Sequence, residues 1–332
     1  MKAIVCTRYG SPDVLQLREV EKPAPKDDEV LIKVHAASVN AADWHMLTAD
    51  IFLIRLMTGG LLKPKHTIPG ADVAGRVEAV GRSVRQFQPG DEVFGVAAGS
   101  KGGFAEYACA VEDHLALKPS NLSFEAAAAV PMAGLTALQG LRDKGQIQPG
   151  QKVLIYGASG GVGTFAVQIA KSFGAEVTAV CSTRNLYMAL SIGANQIIDY
   201  TKEDFTQNGQ RYDLIFAING FHALSAYQRS LNPRGNYVCV GGTLPQIFQS
   251  ILLGPLVSRI GGKKMGFMGI AKTNQKDLIY MSELLEAGKV VPVIEKCYSL
   301  SEVPAAIHYL TEGHAKGKIV IQIRYEQEIN NL

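Results

Sequence analysis

Residues 152–180 read KVLIYGASGGVGTFAVQIAKSFGAEVTAV. A β-branched strand pattern, KVLIY, runs into a glycine-rich turn, then a helical run TFAVQIAKSF, then a second strand pattern EVTAV. The turn spaces its residues as Ala158-x-Gly160-x-x-Gly163, so Ala stands at the first glycine of the dinucleotide fingerprint while Gly157 and Gly161 add flexibility. The chain must leave the strand in a tight turn, a position without Cβ must let a pyrophosphate approach, and Gly163 must let the helix pack closely on the strand. The helix N-terminus then offers unpaired N–H groups and the positive end of its dipole to phosphates. Glycine turns also serve packing alone, but the flanks here are right on both sides. Ser159, Gly160, Gly161, Val162 and Gly163 are therefore read as a cofactor-binding turn.

Strand and helix keep alternating downstream, through LYMALSIG, QIID, DLIFAIN, HALSAYQRSL and NYVCVGG. Strands separated by helices of this length imply a parallel sheet with right-handed crossovers, a doubly wound α/β domain expected over 122–267. Upstream the style differs. Segments such as KAIVCTRYG, EVLIKVHAASV, GRVEAVG, DEVFGVA and GFAEYACAV are short, β-branched or alternating, and bounded by Gly or Pro, which predicts a β-rich module. After Met268 come a helix through QKDLIYMSELLEAG, a strand VVPVIEKCYS, a helix through EVPAAIHYLTEG and a strand GKIVIQI. These last strands are expected to return to the N-terminal module, making one discontinuous domain of 1–121 and 268–332.

Cofactor choice rests on the residues just after EVTAV. An NAD site wants an acid there to accept from the ribose 2′-OH, whereas this chain has Cys181-Ser182-Thr183-Arg184-Asn185. Ser182, Arg184 and Asn185 offer donors to an adenosine 2′-phosphate, and the Arg184 guanidinium supplies charge, so NADPH is favoured over NADH. The plainer alternative is an arginine solvated at a helix start.

Composition narrows the partners. Among 332 residues, 33 Lys and Arg nearly cancel 30 Asp and Glu, and the formal charge of +3 gives no basic footprint for nucleic acid. Five cysteines lie far apart without metal-ligand spacing and read as reduced, mostly buried thiols. MKAIVCTRYG turns polar too soon for a signal peptide, and no apolar run reaches the length of a membrane span, so a cytoplasmic protein is expected.

Several motifs in order resemble the medium-chain dehydrogenase/reductase superfamily, and within it the zinc-independent quinone oxidoreductase branch. They are the opening MKAIVCTRYGSPDVLQLREVEKPAP, VHAASVNAADW, IPGADVAGRVEAVG with PGDEVFG, AAAAVPMAGLTALQGL, the turn ASGGVG and the closing HAKGKIVIQI. The resemblance implies a GroES-like β-rich catalytic domain and a Rossmann domain. Zinc-dependent members carry Cys in the second of these motifs, Gly-His-Glu in the third and a lobe with four clustered Cys. Here Asn40 stands at the Cys position, Ala71 and Asp72 follow Gly70, and the lobe has no cysteine. Thiolate and imidazole ligands are missing, so no metal site is expected.

The chemistry left to such a chain is hydride addition to an already polarised acceptor, a small hydrophobic quinone or α,β-unsaturated carbonyl. Asn40, whose amide can donate, is the first candidate to touch the nicotinamide or the carbonyl, with Asp43 and Trp44 next on the same loop. The competing reading has Asn40 and Asp43 only fixing that loop through side-chain to backbone bonds. By family pattern Thr136 reaches the nicotinamide ribose or amide and Tyr200 lies against the 2′-phosphate. Asn219, Gly241 and Gly242 end later strands, and Phe267, Met268 and Lys318 complete the expected cofactor contacts. Two rival functions stay open, an NADPH-binding sensor with little turnover and a zinc-less alcohol or aldehyde dehydrogenase. The apolar segments 51–62 and 247–260 suggest a lid, a subunit interface such as that of a homodimer, or peripheral contact with an anionic membrane.

Overall fold

The computed structural model describes all residues except 50–59, 61, 66, 98–101, 314 and 326–332. The segment 51–62 thus lies outside the described residues but for Gly60 and Leu62. The chain divides into two units, one of Met1–Met132, Thr273–Glu286 and Ile294–Leu332, the other of Ala133–Lys272 and Ala287–Val293. The first crossing falls later than residue 121 because the Phe124–Ala128 helix packs on the strands Glu29–Val39 and Asp72–Val80 of the first unit. The second falls after Lys272, whose backbone N–H donates to Gln139 Oε1 at 2.9 Å within the second unit.

In the first unit, seven strands form a sheet in which Glu29–Val39 is the hub. It pairs antiparallel with Asp72–Val80, with Tyr107–Val111 and with Lys318–Gln322. In the last of these pairings Ile319 sits opposite Val39, and Ile294–Ser299 adds parallel beyond Lys318–Gln322. Alternate residues of the hub strand face a core that includes Ile4, Val30, Ile32, Val34, Val77, Phe104 and Ile321. A short helix, Ala41–Thr48, comes directly after the hub strand.

The second unit has six parallel strands. In spatial order they are Gln196–Asp199, Glu176–Cys181, Lys152–Tyr156, Tyr212–Ala217, Leu231–Cys239 and Lys264–Phe267. Numbered along this unit, the order is 3-2-1-4-5-6, the dinucleotide-binding arrangement, with its switch point beside Lys152–Tyr156. The Lys264–Phe267 strand and the helices Leu244–Leu252 and Gly254–Gly261 have no counterpart in the sequence-based reading. KMGF has weak strand propensity, and its pairing with Asn236–Cys239 is what makes it a strand.

Candidate active site

Glycine dominates the carboxyl edge of the parallel sheet. Lys152–Tyr156 ends at Gly157, held at φ +89°, and the chain enters the twelve-residue helix Gly161–Ser172 through Gly160 as N-cap. A Cβ on Gly163 would stand 2.1 Å from the Gly157 carbonyl oxygen, so helix and strand touch backbone to backbone. Gly160 differs: a Cβ there would meet only the Gly157 oxygen at 3.9 Å, and it faces open space. Across the edge, a Cβ on Gly157 would stand 3.3 Å from the Asn219 Cβ, and one on Gly242 2.8 Å from the Gly220 carbonyl. Ser159 to Gly163, Asn219 and Gly241-Gly242 are thereby brought to one rim. The helix has no side-chain cap, which leaves its first-turn N–H groups to a ligand. An open cradle in front of an uncapped helix N-terminus fits the pyrophosphate of a dinucleotide.

The neighbouring strand ends form the adenosine side. Tyr200 donates its backbone N–H to Cys181 O at 3.2 Å, which brings this exposed residue to the strand end that leads into Ser182 and the turn Thr183–Asn185. Arg184 is exposed on that turn. Asn185 is buried and donates to Ser182 Oγ at 3.2 Å, so its side chain anchors the turn. An acid does stand here, though it comes from the third strand. Asp199 lies opposite Cys181, accepts from the Thr183 and Thr201 hydroxyls and has Lys202 at 3.8 Å. The Thr183 and Thr201 hydrogen bonds hold its carboxyl below the usual carboxylate range. Its oxygens accept from the chain itself, through the Thr183 and Thr201 hydroxyls and the Thr201 N–H.

The remaining expected contacts lie on other elements. Thr136 is half-buried on the helix Pro131–Gln139. Phe267 packs against the core of the second unit, and Met268 is buried, its N–H donating to Cys239 O at 2.9 Å. Lys318 belongs to the first unit, where its ammonium is 3% exposed. Its place comes from strand register. With Val39 opposite Ile319 on one side and Ser38 opposite Asp72 on the other, Asn40, Lys318 and Asp72 converge at the end of three strands.

The resulting network is closed. Lys318 Nζ donates to Asn40 Oδ1 at 2.5 Å and Val39 O at 3.2 Å, and lies 3.6 Å from Asp72 Oδ2. Asn40 Nδ2 donates to Asp72 Oδ2 at 2.9 Å and to Ser38 O at 3.3 Å. Asp72, fully buried, also accepts from Ser38 Oγ at 2.8 Å and from the Met132 backbone N–H at 3.0 Å. Burial pulls the Lys318 ammonium below the ordinary lysine range, while Asp72 and Asp43 oppose that shift. The Asn40 amide thus donates to Asp72 and Ser38 inside the unit while its Oδ1 accepts from Lys318, the pattern of the loop-fixing alternative. Trp44 packs half-buried against the core of this unit.

Of the three candidate residues Asn40, Asp43 and Trp44, Asp43 lines a cavity. A cavity of about 200 Å³ in the first unit is lined by Asp43, Met46, Leu47, Ile68, Ala71 and Met132, among others. The Asn40 backbone N–H donates to Asp43 Oδ2 at 2.8 Å, half of a capping box for the helix Ala41–Thr48. Among the described residues, no cluster of three His, Cys, Asp or Glu side chains is placed to hold a metal ion. None of the five cysteines is in a disulfide; four are buried and Cys297 is exposed.

A β-rich unit with an apolar cavity and a doubly wound unit with a dinucleotide rim define a two-domain oxidoreductase. Residues 26–120 match the alcohol dehydrogenase GroES-like domain and residues 192–321 match a family described as zinc-binding dehydrogenase. The chain is 37% identical to tomato (Solanum lycopersicum) 2-methylene-furan-3-one reductase, over 97% of this chain and 79% of that one. It is 34% identical to the Arabidopsis thaliana chloroplastic NADPH-dependent alkenal/one oxidoreductase, over the same shares. The solved quinone oxidoreductase of Coxiella burnetii superposes with a TM-score of 0.83 at 32% identity, covering 98% of this chain and 99% of the other. The chain belongs to the medium-chain dehydrogenase/reductase superfamily, in its quinone oxidoreductase and enone reductase branch. Among the described residues, no helix is long and apolar enough to cross a membrane.

Proposed function

We propose that this chain is an NADPH-dependent, zinc-independent reductase that passes hydride to quinones or α,β-unsaturated carbonyls. The observation that carries the reading is the closed Lys318–Asn40–Asp72 network. Asn40 stands where zinc-dependent members carry Cys and Ala71-Asp72 where they carry His-Glu, so neither thiolate nor imidazole is offered, and the Asp72 carboxylate is engaged by Asn40, Ser38, the Met132 N–H and Lys318. Without a soft Lewis-acid site, an acceptor must bring its own polarisation, as a quinone or enone does. Bound NADPH would supply the hydride. The chain holds it through the Ser159–Gly163 turn at the pyrophosphate and through Ser182, Arg184 and Tyr200 at the 2′-phosphate, with Thr136, Asn219, Gly241 and Gly242 as further contacts. The apolar cavity beside Asp43 excludes water from the acceptor. Five cysteines outside any disulfide, one of them exposed, support a reducing compartment, the cytoplasm.

One experiment tests the cofactor and the chemistry together. NADPH and NADH oxidation is followed with a panel of quinones, 2-alkenals and simple alcohols, with and without a chelator, for the wild type and Arg184→Ala. Quinones or alkenals should be reduced, insensitive to chelator. Arg184→Ala should weaken NADPH about tenfold while sparing NADH. Chelator-sensitive alcohol oxidation would overturn the reading, and NADPH binding without any turnover would favour the sensor.

Leu244, Phe248, Leu252 and Leu256 are about half exposed or more, and Arg259 ends the second of their two helices. This face supports peripheral contact with an anionic membrane surface. Salt-sensitive co-sedimentation with anionic vesicles is expected. Its absence would leave the face to a second copy of the chain in a homodimer, which sedimentation velocity reads directly.

A further inference from the structure

Asp43 is 6% exposed and yet lines the cavity of the first unit. Its carboxyl group is held by the backbone N–H groups of Asn40 and Gly70. The charged groups near it are Asp72, from the neighbouring hub-paired strand, and Lys318, from the closing strand, and the donors of Lys318 are committed to Asn40 and Val39. The other titratable groups lining the cavity are Cys6, Tyr9 and Lys65. Burial pushes the Cys6 thiol up, so it keeps its proton. Among the described lining residues, Asp43 is the one carboxyl group, and it meets an otherwise largely apolar wall.

We propose that Asp43 is the acid that completes the reduction, delivering its carboxyl proton to the α-carbon of an enone held in this cavity. The assignment rests on the enone-reductase reading above. Hydride brings two electrons to the β-carbon, and the C=C π pair moves onto the α-carbon and carbonyl as an enolate. The Asp43 O–H bond then breaks with its pair left on the carboxylate, and an α-C–H bond forms. The Asn40 and Gly70 N–H groups and the Lys318 charge stabilise that carboxylate until a solvent proton restores the acid.

Burial is the largest influence on this group and lifts its pKa to about 7, with Asp72 pushing the same way and Lys318 and the two N–H groups pulling it down. An acid so poised both gives up and regains its proton near neutrality. Because the protonated form is the donor, its contribution falls as pH rises through about 7.

The test uses an α-substituted enone and NADPH in deuterated water, with the configuration at the α-carbon as readout. Wild type should place deuterium on one face. Asp43→Asn keeps an oxygen for the Asn40 N–H, and should label both faces while enone turnover drops about a hundredfold. Quinone reduction, whose product oxygens take protons from water, should fall far less. If Asp43→Asn keeps single-face labelling and the wild-type rate, the assignment is wrong although the enone reading stands. If the wild type oxidises NADPH with no acceptor, both fail together. Should the variant not fold, the wild type alone decides: single-face labelling should decay as pH rises across neutrality, and a constant selectivity overturns the proposal.

Discussion

Gly163→Ala should destabilise the nucleotide-binding unit by about 3 kcal/mol and weaken NADPH about a hundredfold, whereas Gly160→Ala should leave stability within about 0.5 kcal/mol and lose affinity alone. The contrast comes from what each added methyl meets. At Gly163 it would lie 2.1 Å from the Gly157 oxygen, 2.7 Å from the Ala158 carbonyl carbon and 2.8 Å from the Ala158 Cα. All three are backbone atoms, so no side chain can swing aside, and the helix must back away from the strand. That displacement also carries the first-turn N–H groups off the phosphate position. Gly160 has φ −79° and ψ 177°, which alanine adopts without strain, and its methyl would enter open space where pyrophosphate approaches. Thermal melts followed by circular dichroism and titration of NADPH fluorescence separate the two effects. A Gly163→Ala protein that melts like the wild type would show that the turn does not pack as close as its spacing implies.

That turn is also where sequence and structure agree most closely, and the reason is locality. Strand, turn and helix over 152–172 are specified by residues that touch their own neighbours, so period and glycine spacing suffice. The edge strand Lys264–Phe267 depends on its partner Asn236–Cys239, and nothing in KMGF announces it. The candidate catalytic loop shows the same division. That Asn40 can donate is a property of an amide. That it has nothing left to donate depends on strand register across Ser38, Asp72 and Lys318, the last nearly 280 residues away. One signal was legible and points to this: a lysine opening the otherwise buried run Lys318–Ile321 needs a buried partner, and the acid after Gly70-Ala71 is one. The upward pKa shift of Asp43 was not legible at all, since it arises from burial beside a cavity.

Lys318→Met should cost the first unit about 3–5 kcal/mol, because it leaves Asp72 buried without its cation and Asn40 Oδ1 without its donor. Methionine has a similar volume, so packing changes little and the loss reports charge and hydrogen bonding. A double-mutant cycle distinguishes a working ion pair from generic damage. Asp72→Asn added to Lys318→Met removes the unpaired charge and still lets residue 72 accept from Ser38 and the Met132 N–H, so the pair of changes should cost less than the lysine change alone. The chain's single tryptophan, Trp44, packs against the core of this unit, so its fluorescence in a urea titration tracks the unit in question. A double variant as unstable as the sum of the two single ones would mean that the charges do not act on each other. The same cation favours the Asp43 carboxylate, and its removal takes away an influence that lowers the Asp43 pKa. Where Lys318→Met remains folded, the pH at which α-face selectivity decays should therefore move upward. A downward or absent shift would disconnect Lys318 from the acid it is placed to tune.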